Sequence, residues 1–397
     1  MAGRYLAKFL TMDTPYEVAT LEDWCRAHRQ PFMRIAAPNY TVAQQVSIPG
    51  LPEKANVVFE RPGAFVARLA NAAIIPSDGV ACTEDGKLLY QGLTARDDKP
   101  QLALGPSCSG IDGNGRFLVN TTPSSVVEDD CIFFGGKANF GHFIFENLLR
   151  LPLLNWLPQL QTLPIAVYDD LPRRFYEFLE IFGFGEDRRI RIARSSATRF
   201  ASVWMLSAPL HRKTPKSKPA LLPDVIWAAR SATAYLSAGF DGPRPRWYLA
   251  RTAAIWRRLV NENSVVEQLS SFGIRVLDIS GLGAEDQIRA VSNAELIVLP
   301  AGATGAITLF AAVDCAVIEL MPADVSAVFG SLGFAGVVGR PYHRIIGRRA
   351  SVLEAEAAGL PPSAAALKSD EDYLIDIDEL RGVLTIADGY CRTKSQF

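Results

Sequence analysis

Residues Leu296 to Glu319, LIVLPAGATGAITLFAAVDCAVIE, constrain the fold more than any other stretch of the chain. A β-branched apolar run leads through a glycine-containing turn and a short apolar helix into a second apolar strand, and strands joined by such a crossover pair in parallel. Parallel strands need cover on both faces, so an α/β architecture is expected. In this reading Gly302 and Gly305 permit positive φ and close backbone approach. The helix start presents N–H groups of Gly302, Ala303, Thr304 and Gly305 to an anion. Glu319, at the end of the second strand, accepts hydrogen bonds from ribose hydroxyls. The full G-x-G-x-x-G pattern is missing, so the same anatomy also suits tight packing alone.

The rhythm recurs on both sides of the middle of the chain. Residues 56–128 read as short strands between Gly, Asp and Pro turns, a β-rich beginning. CIFFGG, PIAVYDD, RRIRIA and ASVWMLS then read as strands, with NFGHFIFENLLRLPLL and LPRRFYEFLEIFGF as helical segments among them. Lys- and Pro-rich residues 212–224 mark a crossing between lobes. Beyond it, RWYLAR, IRVLDI and the opening segment alternate with the helices ENSVVEQLSSFG and AEDQIRAVSNA. The expected division is 1–223 for a first lobe, 224–349 for a second, and 350–397 for a tail whose helix, capped by Asp376 or Asp378, returns to the first lobe.

At 397 residues the chain is long enough for two cores, and 41 basic against 42 acidic side chains leave no bulk charge for nucleic acid. Six scattered cysteines without C-x-x-C spacing suggest neither a zinc site nor a disulfide framework, and the N-terminus has no apolar signal core, so a cytoplasmic location is expected. The uncharged run from Leu296 to Val313 is interrupted by Pro300, two glycines and two threonines, which argues against a transmembrane span. Basic residues 211–218 leave peripheral membrane association open. His28, His142, His211 and His343 are far apart and no acidic cluster stands at a strand end, so no metal is expected.

Two groups of residues carry candidate chemistry. His142 and Glu146 are four apart, so on a helix imidazole and carboxylate share a face and form a candidate general base, with Asn139 supporting them. The same spacing suits a capping Asn and a core histidine. Arg251 follows a strand directly, and with Arg257, Arg258 and Asn261 it offers guanidinium groups for a diphosphate.

NFGHFIFENLLRL, YLARTAAIWRRLVNEN and LGAEDQIRAVSNAELIVLPAGATGAITLFAAVDCAVIELMP, in that order, resemble the blocks of glycosyltransferase family 61 over roughly residues 60–325. The resemblance implies two Rossmann-like lobes of the GT-B type facing a cleft, and inverting, metal-independent transfer from a sugar nucleotide. A UDP-sugar is the expected donor, and no further cofactor is implied. It also implies a glycan or lipid-linked saccharide acceptor of bacterial capsule or cell-surface synthesis. Glu146 or His142 would deprotonate the acceptor. Arg251, with Arg257 or Arg258 and the N–H groups of Gly302 to Gly305, would hold the diphosphate, and Glu319 the ribose. One departure stands out: Ala301 occupies the place of the family's turn histidine, and Thr304 that of a later glycine. Either His343, Lys213 or Thr304 compensates, or donor preference differs, or activity is lost. An NAD-dependent oxidoreductase and a non-catalytic nucleotide- or glycan-binding protein are the competing readings.

Overall fold

Apolar runs of four to seven residues separated by amphipathic helices become the parallel parts of two mixed sheets, each in its own compact unit. The computed structural model describes residues 14–394 apart from residue 38 and residues 44–46, 53–56, 62, 77–78, 91–106, 212–219, 239–241, 252–253, 324–337 and 362–370. Lys213 and most of the basic stretch therefore lie outside the described residues. One unit comprises residues 1–41 and 59–229, the other 42–58 and 230–397.

In the first unit a twelve-stranded sheet joins the antiparallel N-terminal strands to a parallel part. The junction is the long strand Ala64–Ile75, which pairs antiparallel with Ala197–Leu206. Beyond it lie Cys131–Gly135, Ile165–Tyr168 and Arg189–Ile192, all parallel to Ala197–Leu206 or to one another. In chain order these four strands stand 3-2-1-4 across the sheet. The order reverses between Cys131–Gly135 and Ala197–Leu206, and the carboxyl ends of strands at such a reversal are where open α/β sheets bind ligands.

The second unit holds a six-stranded sheet in the order Arg275–Leu277, Arg246–Leu249, Leu296–Pro300, Ala316–Pro322, Tyr342–Arg349 and Tyr373–Leu374. Only the last strand runs antiparallel. Here the reversal falls between Arg246–Leu249 and Leu296–Pro300. One sheet face, with Tyr248, Val298, Ile318 and Leu320, is covered by Val265 and Leu269 of helix Glu262–Ser270 and by Leu380, Leu384 and Ala387 of helix Ile377–Lys394.

Two expectations about organisation are corrected. The C-terminal helix belongs to the second unit, because its apolar stripe is part of that unit's core and Asp388 pairs with Arg246 at 2.6 Å. Residues 42–58 also belong there, with Ile48 buried in the same core and Ser47 bridged to Tyr342. Asp376 caps the last helix, accepting from the N–H groups of Asp378 and Glu379. The run from Leu296 folds as strand, turn and 3-10 helix, and among the described residues no helix is long and apolar enough to cross a membrane.

Candidate active site

At the reversal of the first sheet, strand Cys131–Gly135 ends in two left-handed glycines, Gly135 and Gly136. A Cβ on Gly136 would meet Leu171 at 2.7 Å, so only glycine fits this sharp exit. Arg194 fastens the turn, donating to the Gly136 carbonyl at 2.7 Å while its Nε sits 2.8 Å from both oxygens of Asp170. The chain then enters a helix that is not one regular cylinder. Phe140–His142 forms a single turn, Phe143–Asn147 is π-helical and Leu148–Trp156 is 3-10, with Pro152 removing a backbone donor. Asn147 is drawn back to the strand exit, accepting from the Lys137 N–H at 3.1 Å.

Asn139 caps the first turn, its Oδ1 accepting from the His142 N–H at 3.2 Å. Phe140 and Phe143 pack on Phe175 and Phe178 of helix Arg173–Ile181, with the Phe143 and Phe175 rings stacked at 4.3 Å. That aromatic cluster fixes the turn carrying the candidate base. His142 Nδ1 lies 2.5 Å from Glu146 Oε1, and Lys137 Nζ lies 2.7 Å from Oε2. Burial pushes the Glu146 carboxyl up, but the His142 hydrogen bond and the Lys137 charge outweigh it and hold the group at about 2. Both carboxylate oxygens are engaged. The His142 side chain is 43% exposed, so with Nδ1 committed to Glu146 its Nε2 is the nitrogen left for an outside proton.

At the reversal of the second sheet, Arg251 follows strand Arg246–Leu249 and Gly302 follows Leu296–Pro300. Arg251 donates to the Ala301 carbonyl at 2.6 Å, and its guanidinium lies over Gly302 so closely that a Cβ there would be 2.6 Å from Cζ. Burial, and after it the charge of Arg257, lower the proton affinity of Arg251. Arg257 itself adopts φ 54°, a strained conformation for a residue with a side chain and one that concentrates at ligand sites. The 3-10 helix Ala303–Phe310 begins beside these cations. In i→i+3 geometry the N–H groups of Ala303 and Thr304 have no acceptor within the helix, whereas Gly305 donates to Gly302 O at 3.1 Å. The far end of this helix is held by buried Arg340, which donates to the carbonyls of Thr308, Ala311 and Ala312.

Several sequence expectations change here. Gly302 has φ 166°, ordinary extended backbone, and Gly305 is not left-handed; the turn uses Gly302 for space, filled by Arg251. Glu319 is not at a strand end, because the apolar run continues to Pro322. It is buried in mid-strand and accepts from the Tyr342 hydroxyl at 2.6 Å. Arg258 is committed to a buried pair with Asp372, at 2.5 Å between Nη2 and Oδ2. Asn261 clamps the backbone of Ile375 through both ends of its amide. His343 cannot replace the turn histidine: it pairs with Ile318, two strands from Leu296–Pro300 and so about 10 Å across the sheet, and lies near the amino end of its strand. Lys137 and Asp372 went unnoticed in the sequence, since their partners lie nine and 114 residues away.

Residues 140–318 match the Glycosyltransferase 61 family model, a little under half of the chain. This stretch belongs to glycosyltransferase family 61. The match supports a glycosyltransferase, a class of enzyme that takes a sugar donor and an acceptor. The family 61 region begins on the turn that carries His142 and runs through Glu146 and Arg251 to strand Ala316–Pro322, so it takes in both strands of the second reversal and, of the first, only the segment after strand Cys131–Gly135. No curated protein matches the chain.

Proposed function

We propose that the chain is an inverting, metal-independent glycosyltransferase of the GT-B type, in which the first unit supplies the base and the second holds a nucleoside diphosphate sugar. The observation that carries this reading is Arg251 folded over Gly302 at the reversal of the second sheet, with Arg257 and the N–H groups of Ala303 and Thr304 beside it. Two guanidinium groups and a helix start supply the positive charge a departing diphosphate needs, which a divalent ion would otherwise contribute. His142 is the base. Its Nε2 takes the acceptor hydroxyl proton as the acceptor oxygen forms a bond to the anomeric carbon, and the diphosphate leaves from the opposite face with the electrons of the broken C–O bond. Glu146 is fully engaged and too weak a base for that step, so it orients the ring and stabilises the imidazolium.

The acceptor we favour is a glycan or lipid-linked saccharide of cell-surface synthesis, with a UDP-sugar as donor, in the cytoplasm. The six free cysteines support a reducing compartment. The oxidoreductase reading loses the residue that motivated it, because Glu319 is in mid-strand and bonded to Tyr342. The test is hydrolysis and transfer with a panel of sugar nucleotides in the presence of EDTA. Turnover of one donor with inversion at the anomeric carbon is expected; a reaction that starts only when a divalent ion is added would overturn the metal-free reading.

A further inference from the structure

We infer that Asp372 to Ile375, outside the residues matched to the family, are the positioning segment of the diphosphate site: they hold the arginine loop in register with the Gly302 turn without touching the donor. The inference rests on the donor reading above. The Arg258 N–H donates to Asp372 Oδ1 at 2.9 Å, and the Arg258 guanidinium grips the same carboxylate at 2.5 to 3.1 Å. The Tyr373 N–H donates to Arg258 O at 3.1 Å and the Val260 N–H to Tyr373 O at 2.9 Å, a short parallel bridge around Leu259. Asn261 closes the other end, donating to Ile375 O at 2.7 Å and accepting from its N–H at 3.1 Å.

The same segment reaches the phosphate turn. The hydroxyl of fully buried Tyr373 donates to Leu320 O at 2.8 Å, and the Ala301 N–H donates to that same carbonyl at 2.8 Å. One carbonyl thus ties Tyr373 to the residue before Gly302, while Arg258, one residue from Arg257, is tied to Asp372. Closing the sheet edge needs only the antiparallel pairing of Tyr373 and Leu374 with Arg349 and Arg348. A buried ion pair adds little net stability over an apolar pair, and its best-attested use is to set register. Here the register it sets is that of the loop carrying Arg251 and Arg257.

The experiment is calorimetric titration of wild type, Asp372→Asn and Tyr373→Phe with UDP, GDP, ADP and dTDP, and with the matching nucleosides. A misplaced arginine loop weakens the diphosphate by about tenfold or more in Asp372→Asn. Loss of one hydroxyl contact weakens it about threefold in Tyr373→Phe. Nucleoside affinity and binding stoichiometry stay unchanged. A merely structural role would lower the stoichiometry and the melting temperature at unchanged diphosphate affinity, and that result overturns the inference. If Asp372→Asn does not fold, Tyr373→Phe decides, and an unchanged affinity there overturns it. A wild type that binds none of the four diphosphates overturns the donor reading itself, whereas a wild type that binds one, with both variants equal to it, overturns only the positioning role.

Discussion

The two sheet reversals handle charge in opposite ways. At the end of Cys131–Gly135, Lys137, His142 and Glu146 satisfy one another, and the buried carboxylate is held far below its ordinary range by the groups around it. At the end of Leu296–Pro300, Arg251 leans on a carbonyl and, among the described residues, forms no ion pair, while burial and Arg257 oppose its charge. The first arrangement stabilises the fold and leaves one nitrogen for chemistry. The second holds Arg251 through a carbonyl rather than a carboxylate, an arrangement that suits an anion site.

The largest effect is expected at the first reversal. His142→Ala should lower the transfer rate by roughly 10²- to 10⁴-fold, the range for a lost general base, with donor affinity unchanged. A single-turnover assay beside a donor titration checks it; an equal loss in affinity would move His142 from base to donor contact.

Glu146→Gln should cost about 3 kcal/mol of stability, because it leaves Lys137 and His142 without their carboxylate. The pH dependence sharpens the point. A carboxyl held at about 2 in the folded protein, against its ordinary 4.5, stabilises the fold above the higher value, and that contribution fades as pH falls toward the lower one. Urea unfolding between those limits should show wild type losing stability faster than Glu146→Gln. Parallel curves would mean that Glu146 is not held down by its neighbours.

Much of this comparison was legible in the sequence. Strand and helix periods placed the parallel strands, the four-residue spacing brought His142 to Glu146, and Arg251 emerged directly from its strand. Side-chain direction was not legible. Arg257 and Arg258 read alike, yet a left-handed backbone at Arg257 sends Arg258 to Asp372, a partner 114 residues on. Glu319 looked like a strand end because a carboxylate in an apolar run suggests one, but Tyr342 on the neighbouring strand supplies the hydrogen bond that lets it stay buried. Gly302 was identified for the wrong reason, since backbone freedom and room for a neighbour's side chain leave the same letter in a sequence. Tails and early segments were the least readable. Residues 42–58 and helix Ile377–Lys394 join the second core through long-range packing that no local pattern announces.

The central claim is that Arg251 at the Gly302 turn forms a metal-free diphosphate site. Titrating wild type and Arg251→Met with nucleoside diphosphates in EDTA tests it most directly. Wild type should bind one of them, and Arg251→Met should bind it about 10- to 100-fold more weakly, the worth of a charged hydrogen-bonded contact. Its melting temperature should stay level or rise, because a half-buried charge held by a carbonyl rather than a carboxylate has been removed. Equal affinity in the two proteins, or a variant that loses stability instead, would contradict the account.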